Sequence, residues 1–349
     1  MPKPEPPFVS VVIPMRNEGK HIVEFLQCIF AQDYPADRME VIVSDGGSDD
    51  NTPQAVTEYA KRHPNLRLVH NPGRIVPTGL NLALAVAKGE IIVRVDGHTI
   101  IDQDYVRRCV EALERTGAAN VGGRMDAVGK GPFGSAVAAA TSSPFGVGGA
   151  RFHYSDREEW VDTVYMGAWP RRIFDEIGLF DEELVRDQDD EFNYRLREHG
   201  GKILLSPNIK SKYTNRSSPR ALWKQYFQYG FWKVRVLQKH PRQMRLRQFV
   251  PPSFVLSLLI VLGLWFLVPK GWIGIVAVGG GYIVANLAAS VLTASRSGRR
   301  HLPLLPSVFA ILHVSYGLGF LVGLVRFWKR WGDKVGSVPR LQTKSDVRS

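Results

Sequence analysis

Residues Glu90-Ile91-Ile92-Val93-Arg94-Val95-Asp96-Gly97-His98-Thr99 decide how this chain is read: an apolar run stops abruptly at an acid, a glycine and a histidine. Ile91, Ile92, Val93 and Val95 are β-branched, which suits a strand buried on both faces of a parallel sheet. Arg94 is the exception. At the carboxyl end of such a strand the chain emerges above the crevice where open α/β sheets bind ligands, so Asp96 and His98 arrive there together. Two ligating side chains separated by Gly97 suit a divalent cation held from its other side by a diphosphate. The same residues also fit a plain strand-to-helix turn with Asp96 as a local cap.

Upstream, Phe8–Pro14 reads as a first buried strand, and Asn17 opens an amphipathic run through Phe30. Met39–Asp45 is a second strand ending in an acid, followed by a Gly46–Asp50 turn and a helical segment over Thr52–Arg62. Leu66–His70 gives a third strand and Val76–Ala87 a helix; beyond Thr99 come a helix over Asp104–Thr116 and a strand over Ala118–Gly123. This alternation predicts an α/β domain with right-handed crossovers and a mostly parallel sheet. No GxGxxG follows the first strand and no GxxxxGK[ST] occurs, so phosphate is not cradled by a glycine-rich loop. Glu18, Asp45, Asp49 and Asp96 instead cluster at strand ends. Acids repel phosphate, and a nucleotide here implies a bridging metal.

Gly129–Pro132 and Gly146–Gly149 bracket a small-residue run, Ala136–Thr141, which fits a mobile loop over a site or an ordinary surface excursion. Asp187–Leu196 is an acidic helix start, with Glu191 and Arg195 spaced for an i,i+4 pair. Four acids within five positions exceed what the helix dipole needs, and like charges this close raise at least one pKa, as a general base requires.

Val9–Glu18 (VSVVIPMRNE), Val43–Asp50 (VSDGGSDD) and Val93–His98 (VRVDGH) resemble the three successive donor-site motifs of family 2 glycosyltransferases, which have the GT-A fold. Arg74 and Gly79-Leu80-Asn81 resemble the segment linking them. The resemblance implies that Pro14 and Glu18 line the nucleoside pocket, that Asp45 receives a uracil ring, that Arg74 belongs to the donor site, and that Asp96 with His98 stands where an Asp-x-Asp metal motif usually stands. His98 departs from that motif, and an imidazole ligand favours Mn²⁺ over Mg²⁺. Val161–Arg172, with Trp169, resembles the acceptor-side segment, and Ile177–Glu182 the turn after it. In the family the general base stands six residues before an arginine; counting back from Arg195 gives Asp189, with Gln188 replacing the usual Glu and Asp190 in reserve. The implied chemistry is displacement with inversion. Gln225–Gly230 stands where processive members carry Gln-x-x-Arg-Trp. The Arg-Trp is missing, which speaks against a polymerising synthase and leaves Gln225 and Tyr229 as cleft residues.

Charge divides the chain. Residues 1–198 hold 22 Lys or Arg against 31 Asp or Glu, a balance of −9, whereas residues 199–349 hold 23 against 2, a balance of +21. The basic residues flank apolar runs rather than forming a stripe, so membrane lipids, not nucleic acid, are the expected partner. Lys202–Val250 carries twelve cations and no acid, interleaved with aromatics, as on a helix at a membrane interface. Val250–Val268, Trp272–Leu292 and Leu304–Phe327 are each long enough to cross a bilayer, and Gly319-x-x-x-Gly323 allows close helix approach. Basic clusters at Lys239–Arg247 and Arg296–Arg300 agree with a two-helix hairpin between them. A third full crossing would put Lys329, Arg330 and Lys334 on the wrong side, so the third run is expected to be kinked or re-entrant at Gly317–Gly319, the alternative being a tail that tolerates that side.

The expected organisation is a catalytic domain over 1–215, an interfacial region over 216–249, a membrane domain over 250–328 and a basic tail over 329–349. Two cysteines, Cys28 and Cys109, carry no metal spacing or disulfide framework, and Met1–Pro7 lacks a signal-peptide core, so residues 1–198 are expected in the cytoplasm; that the membrane is the plasma membrane is what the family resemblance implies. The arrangement is similar to exopolysaccharide glucosyltransferases of the succinoglycan type. That implies transfer from a UDP-sugar, UDP-glucose foremost, to a polyprenyl-diphosphate-linked glycan. A polyprenyl-phosphate glycosyl synthase and a catalytically silent scaffold are the rival readings.

Overall fold

The computed structural model describes residues 5–333 and 338–341, so Lys334 lies outside the described residues. The elements run β1 (Val9–Met15), α1 (Ile22–Phe30), β2 (Met39–Asp45), α2 (Thr52–Ala60), β3 (Leu66–His70), α3 (Val76–Val86), β4 (Ile91–Arg94), β5 (Thr99–Ile101), α4 (Tyr105–Thr116) and β6 (Asn120–Val128). Then follow α5 (Gly131–Thr141), a single turn α6 (Pro144–Val147), β7 (Glu159–Val161), β8 (Tyr165–Pro170), α7 (Arg172–Ile177), α8 (Gln188–Glu198) and β9 (Ile203–Thr214).

One sheet takes the order β3-β2-β1-β4-β8-β6-β9-β5, with β7 beside β9. The first four strands are parallel, as the alternation predicts. β8 pairs antiparallel with both β4 and β6, so β6 runs in the same direction as β4 with β8 inserted between them. The sheet is therefore mixed, because a later segment wedges into the crossover between consecutive parallel strands. β1 and β2 are buried along their whole length, as their near-continuous β-branched composition demands. Ile22, Phe25, Leu26 and Ile29 of α1 and Val106, Cys109 and Leu113 of α4 join the core with Val11, Ile13, Val41 and Val93.

The described residues divide into two compact units, 5–126, 155–213 and 338–341 in one, 127–154 and 214–333 in the other. Residues 127–154 leave the catalytic unit altogether, and the described end of the tail returns to it, where the Pro339 carbonyl accepts from the Leu179 amide at 2.8 Å. The second unit contains α5, α6, α9 (Pro219–Lys239), α10 (Leu246–Leu267), α11 (Trp272–Ile275), α12 (Gly281–Ser297) and α13 (Leu305–Arg326). α11 continues through a π-helical turn into α12, so Trp272–Ser297 is one 26-residue stretch. Three helices, Leu246–Leu267, Trp272–Ser297 and Leu305–Arg326, are long and apolar enough to cross a membrane.

Ala136–Thr141, read from sequence as a loop, is helical. Ala136, Val137 and Ala140 of α5 pack in one buried cluster with Leu222, Leu305, Val308, Phe309 and Leu312. Small side chains let a helix approach others closely; here they mark packing, not mobility.

Candidate active site

β1 is a central strand that ends in a proline turn. The Val12 carbonyl accepts from Val95, just past β4, and the Met15 carbonyl from Gly46, so even-numbered residues of β1 face β4. β4 pairing ends at Val12 with Arg94, and Pro14 therefore puts its missing N–H where its neighbour has just stopped. The turn beyond is stitched to the one after β2: the Asn17 amide donates to Ser48 Oγ at 2.8 Å, the Asp49 amide to Asn17 Oδ1 at 2.8 Å, and the Glu18 amide to Thr52 Oγ1 at 2.9 Å. Asp45 is buried at the β2 tip, where its carboxylate accepts from the Gly47 and Ser48 amides at 3.1 Å and from the Ser48 hydroxyl at 2.5 Å. Arg74 lies against this turn; a Cβ on Gly47 would stand 3.2 Å from its Nε.

Asp96, at the β4 tip, is held differently. Arg94 Nε donates to Asp96 Oδ1 at 2.8 Å and Nη2 to Oδ2 at 3.2 Å, with the arginine side chain 5% and the aspartate 14% exposed. Asp189, in the first turn of α8, is close enough for its charge to act on Arg94, whose Nη1 is buried without a hydrogen-bond partner among the described residues. Burial works against the Arg94 charge, but Asp96 and Asp189 outweigh it and raise its pKa further. Burial raises the Asp189 pKa above the usual carboxylate value; Arg94 pulls it down, and Asp190 and Asp96 push it up. Tyr165, whose phenol burial raises far above its usual pKa, shares a 2.6 Å hydrogen bond with Thr99. His98 is 42% exposed, with its Nδ1 3.9 Å from Glu18 Oε1 and its ring edge-on to Tyr213 at 5.3 Å.

Among the described residues, five non-glycine positions have positive φ, and Asn17, Arg74, Met166 and Asp187 stand in segments carrying these side chains. Backbone held in that region is costly, and it concentrates where geometry matters more than stability.

Pro14 and Asp45 thus stand at the ends of β1 and β2, Glu18 and Arg74 in the segments just beyond β1 and β3, and the charges of Asp96 and Arg94 reach Asp189. Asp190 follows Asp189 and donates its amide to Asp189 Oδ1 at 3.0 Å. Glu191 is not part of this group: it pairs with Arg195 at 2.9 Å inside the core, as the i,i+4 spacing predicts, and Arg195 Nη2 donates to the Leu179 carbonyl at 2.8 Å. Trp169, expected on the acceptor side, is a core residue. It is 2% exposed and packs edge-on to Phe174, Phe180 and Phe192, because its register opposite Ile92 turns it away from the strand tips. Gln225 and Tyr229 belong to α9 of the second unit, where Gln225 Nε2 donates to Tyr229 Oη at 2.9 Å. Sequence reasoning set Arg94 aside as an anomaly. A lone cation in a buried β-branched strand was the signal, since it demands buried counter-charges.

Among the described residues no three His, Cys, Asp or Glu side chains form a metal cage. Asp96 and His98 make two donors, and Arg94 already engages both Asp96 oxygens. Such a pair fits a cation shared with a diphosphate that brings its own oxygens, not one caged by protein.

Residues 10–178 match the model of glycosyl transferase family 2. The chain carries a family 2 glycosyltransferase domain. It is 28% identical over 91% of its length, and 98% of the relative's, to a dolichyl N-acetyl-α-D-glucosaminyl phosphate 3-β-D-2,3-diacetamido-2,3-dideoxy-β-D-glucuronosyltransferase of Methanococcus voltae. It is 29% identical to the succinoglycan biosynthesis protein ExoA of Rhizobium meliloti, covering 92% of this chain and 96% of ExoA. Among solved structures, the mannosyltransferase PcManGT of Pyrobaculum calidifontis, in complex with GDP-Man and Mn²⁺, superposes with a TM-score of 0.59 at 21% identity, covering 91% and 88% of the two chains. That likeness establishes the GT-A fold of this glycosyltransferase.

Proposed function

We propose that this enzyme transfers a sugar, with inversion, from a UDP-sugar, UDP-glucose foremost, to a polyprenyl-diphosphate-linked glycan at the inner face of the plasma membrane. The carrying observation is that Asp189 lies within electrostatic reach of Asp96, 93 positions earlier, and of the buried Arg94 that Asp96 holds. This supports pairing Asp96, as the donor-side acid, with Asp189, a carboxylate whose pKa burial raises. Asp189 accepts the proton of the acceptor hydroxyl as the hydroxyl oxygen bonds to the anomeric carbon; the bond from that carbon to the diphosphate oxygen breaks, and inversion follows from attack opposite the leaving group. Arg94 keeps Asp189 ionised and near Asp96. Asp96 and His98 would hold a divalent cation, Mn²⁺ in preference to Mg²⁺, which when bound neutralises charge on the diphosphate. The polyprenyl-linked acceptor is supported by the full-length likeness to the M. voltae and R. meliloti proteins, whose names place them in dolichyl-linked and succinoglycan assembly.

The test is radiolabelled transfer into a lipid extract from UDP-glucose, UDP-N-acetylglucosamine and GDP-mannose, with and without chelator. Label from UDP-glucose, abolished by chelator and restored better by Mn²⁺ than by Mg²⁺, supports the reading. Label from GDP-mannose alone, or indifference to chelator, overturns it.

A further inference from the structure

We infer that only the α10–α12 hairpin crosses the bilayer, and that α13, despite its length and hydropathy, lies flat at the boundary between headgroups and acyl chains with α9 along its headgroup side.

Three observations within the second unit carry this. First, α9 and α13 run parallel, side by side, over their whole length. Leu222 clusters with Leu305, Phe309 and Leu312; a Cβ on Gly319 would come 2.1 Å from the Phe227 carbonyl oxygen and one on Gly323 2.7 Å from that of Phe231; Gln238 Nε2 donates to the Phe327 carbonyl at 2.8 Å. Helices joined at backbone contact share their depth. If α13 crossed, α9 would take the exposed Lys224 and the protein-buried Lys233, Arg235 and Lys239 to bilayer depth, where charge is disfavoured. The longest charge-free stretch between them, Gln225–Trp232, is eight residues, about 12 Å against a core of about 30 Å.

Second, α13 ties together the two feet of the hairpin, which lie on one side of any membrane the hairpin spans. α13 crosses the C-terminal two-thirds of the Trp272–Ser297 arm: Leu305 clusters with Ala294, the Pro306 carbonyl accepts from Asn286 at 3.0 Å, and His313 Nδ1 lies 3.0 Å from Tyr282 Oη. Further along it meets the foot of α10: a Cβ on Gly317 would stand 2.6 Å from the Pro251 carbonyl oxygen, and Phe320 lies edge-on to Phe249 at 5.9 Å. α13 runs as one α-helix through Gly317 and Gly319, and those glycines face different helices. Third, the coverage differs: 11% of the most apolar window of each hairpin arm is buried, against 44% of that of α13. Above Val255 the arm continues for some 13 residues, roughly 19 Å, and a flat helix about 10 Å thick beneath it completes a core of about 30 Å.

Two crossings leave Lys329 and Arg330 on the same face as Arg296, Arg299 and Arg300, which satisfies the charge rule that three crossings violate. Asp333, 3.6 Å from Arg235, fixes the end of α13 to the charged end of α9.

The test uses the full chain. In right-side-out and inverted membrane vesicles, an impermeant maleimide should reach Lys270→Cys from one face, while Arg299→Cys and an epitope after Ser349 are reached from the other. An epitope reached from the same face as Lys270→Cys overturns the inference, and the epitope requires no change within the fold. In vesicles of phosphatidylethanolamine and phosphatidylglycerol, spin labels at Ser307, Val314 and Val322 should report one shallow depth, with Leu259 well below. A graded series along α13, or a Val314 label deeper than both its neighbours, also overturns it. Neither measurement depends on which sugar is transferred.

Discussion

The tips of β2 and β4 look alike in sequence, each a β-branched strand that ends in Asp-Gly, yet the structure solves their electrostatics in opposite ways. Asp45 is satisfied by neutral donors of its own turn, two amides and the Ser48 hydroxyl within three residues. Asp96 is satisfied by a buried guanidinium whose charge also reaches Asp189. The first solution is local and makes a rigid wall. The second is non-local and couples the donor end of the site to its base, so its parts should fail together where those of the first should not.

The largest effect is expected from Asp189→Asn, which keeps the shape of the α8 start and removes the base: transfer into lipid should fall about 10²- to 10⁴-fold with little change in thermal stability. A polyprenyl-phosphate synthase, whose acceptor needs no base, would keep nearly full activity. Arg94→Met comes next. Removing one partner of a buried pair leaves its carboxylate uncompensated, so unfolding in detergent should show a loss of about 3 kcal/mol together with at least a tenfold loss of transfer. Asp45→Asn preserves an acceptor oxygen for the Gly47 and Ser48 amides and should cost about 1 kcal/mol of stability; its effect should be read mainly as weaker UDP binding in calorimetry. An equal stability loss at both tips would erase the contrast drawn here.

The smallest and sharpest difference concerns pH. Asp189 works as a base only when ionised, and burial holds its pKa above the usual carboxylate value, so the rate should fall as pH drops through a point above the ordinary carboxylate range. Arg94→Met withdraws the charge that holds this pKa down and should move the limb to higher pH, whereas Asp45→Asn should leave it in place. Rate profiles of the three proteins decide this.

Much of the catalytic unit was legible because its signals are local. Four parallel strands, the helices between them and the acids at their ends follow from β-branched runs, turn residues and the neighbourhood of each tip. Trp169 was misplaced because strand register, not composition, sets which way a side chain points, and one residue of register reverses it. Ala136–Thr141 was misread because Ala, Ser and Gly carry almost no hydrophobic periodicity; only the helices they touch reveal what their smallness is for.

Sequence by itself determined the α/β alternation, the acidic strand tips, the Glu191–Arg195 pair and the two-sided charge of the chain, since each rests on neighbours within a few positions. Tertiary structure decided the rest: that β8 wedges between β4 and β6, that the charge of Arg94 reaches two acids 93 residues apart, and that an apolar helix long enough to cross a membrane is sheathed by a charged one. Those outcomes depend on which distant surfaces meet, and the free energy of a buried charge or an apolar face is set by what covers it.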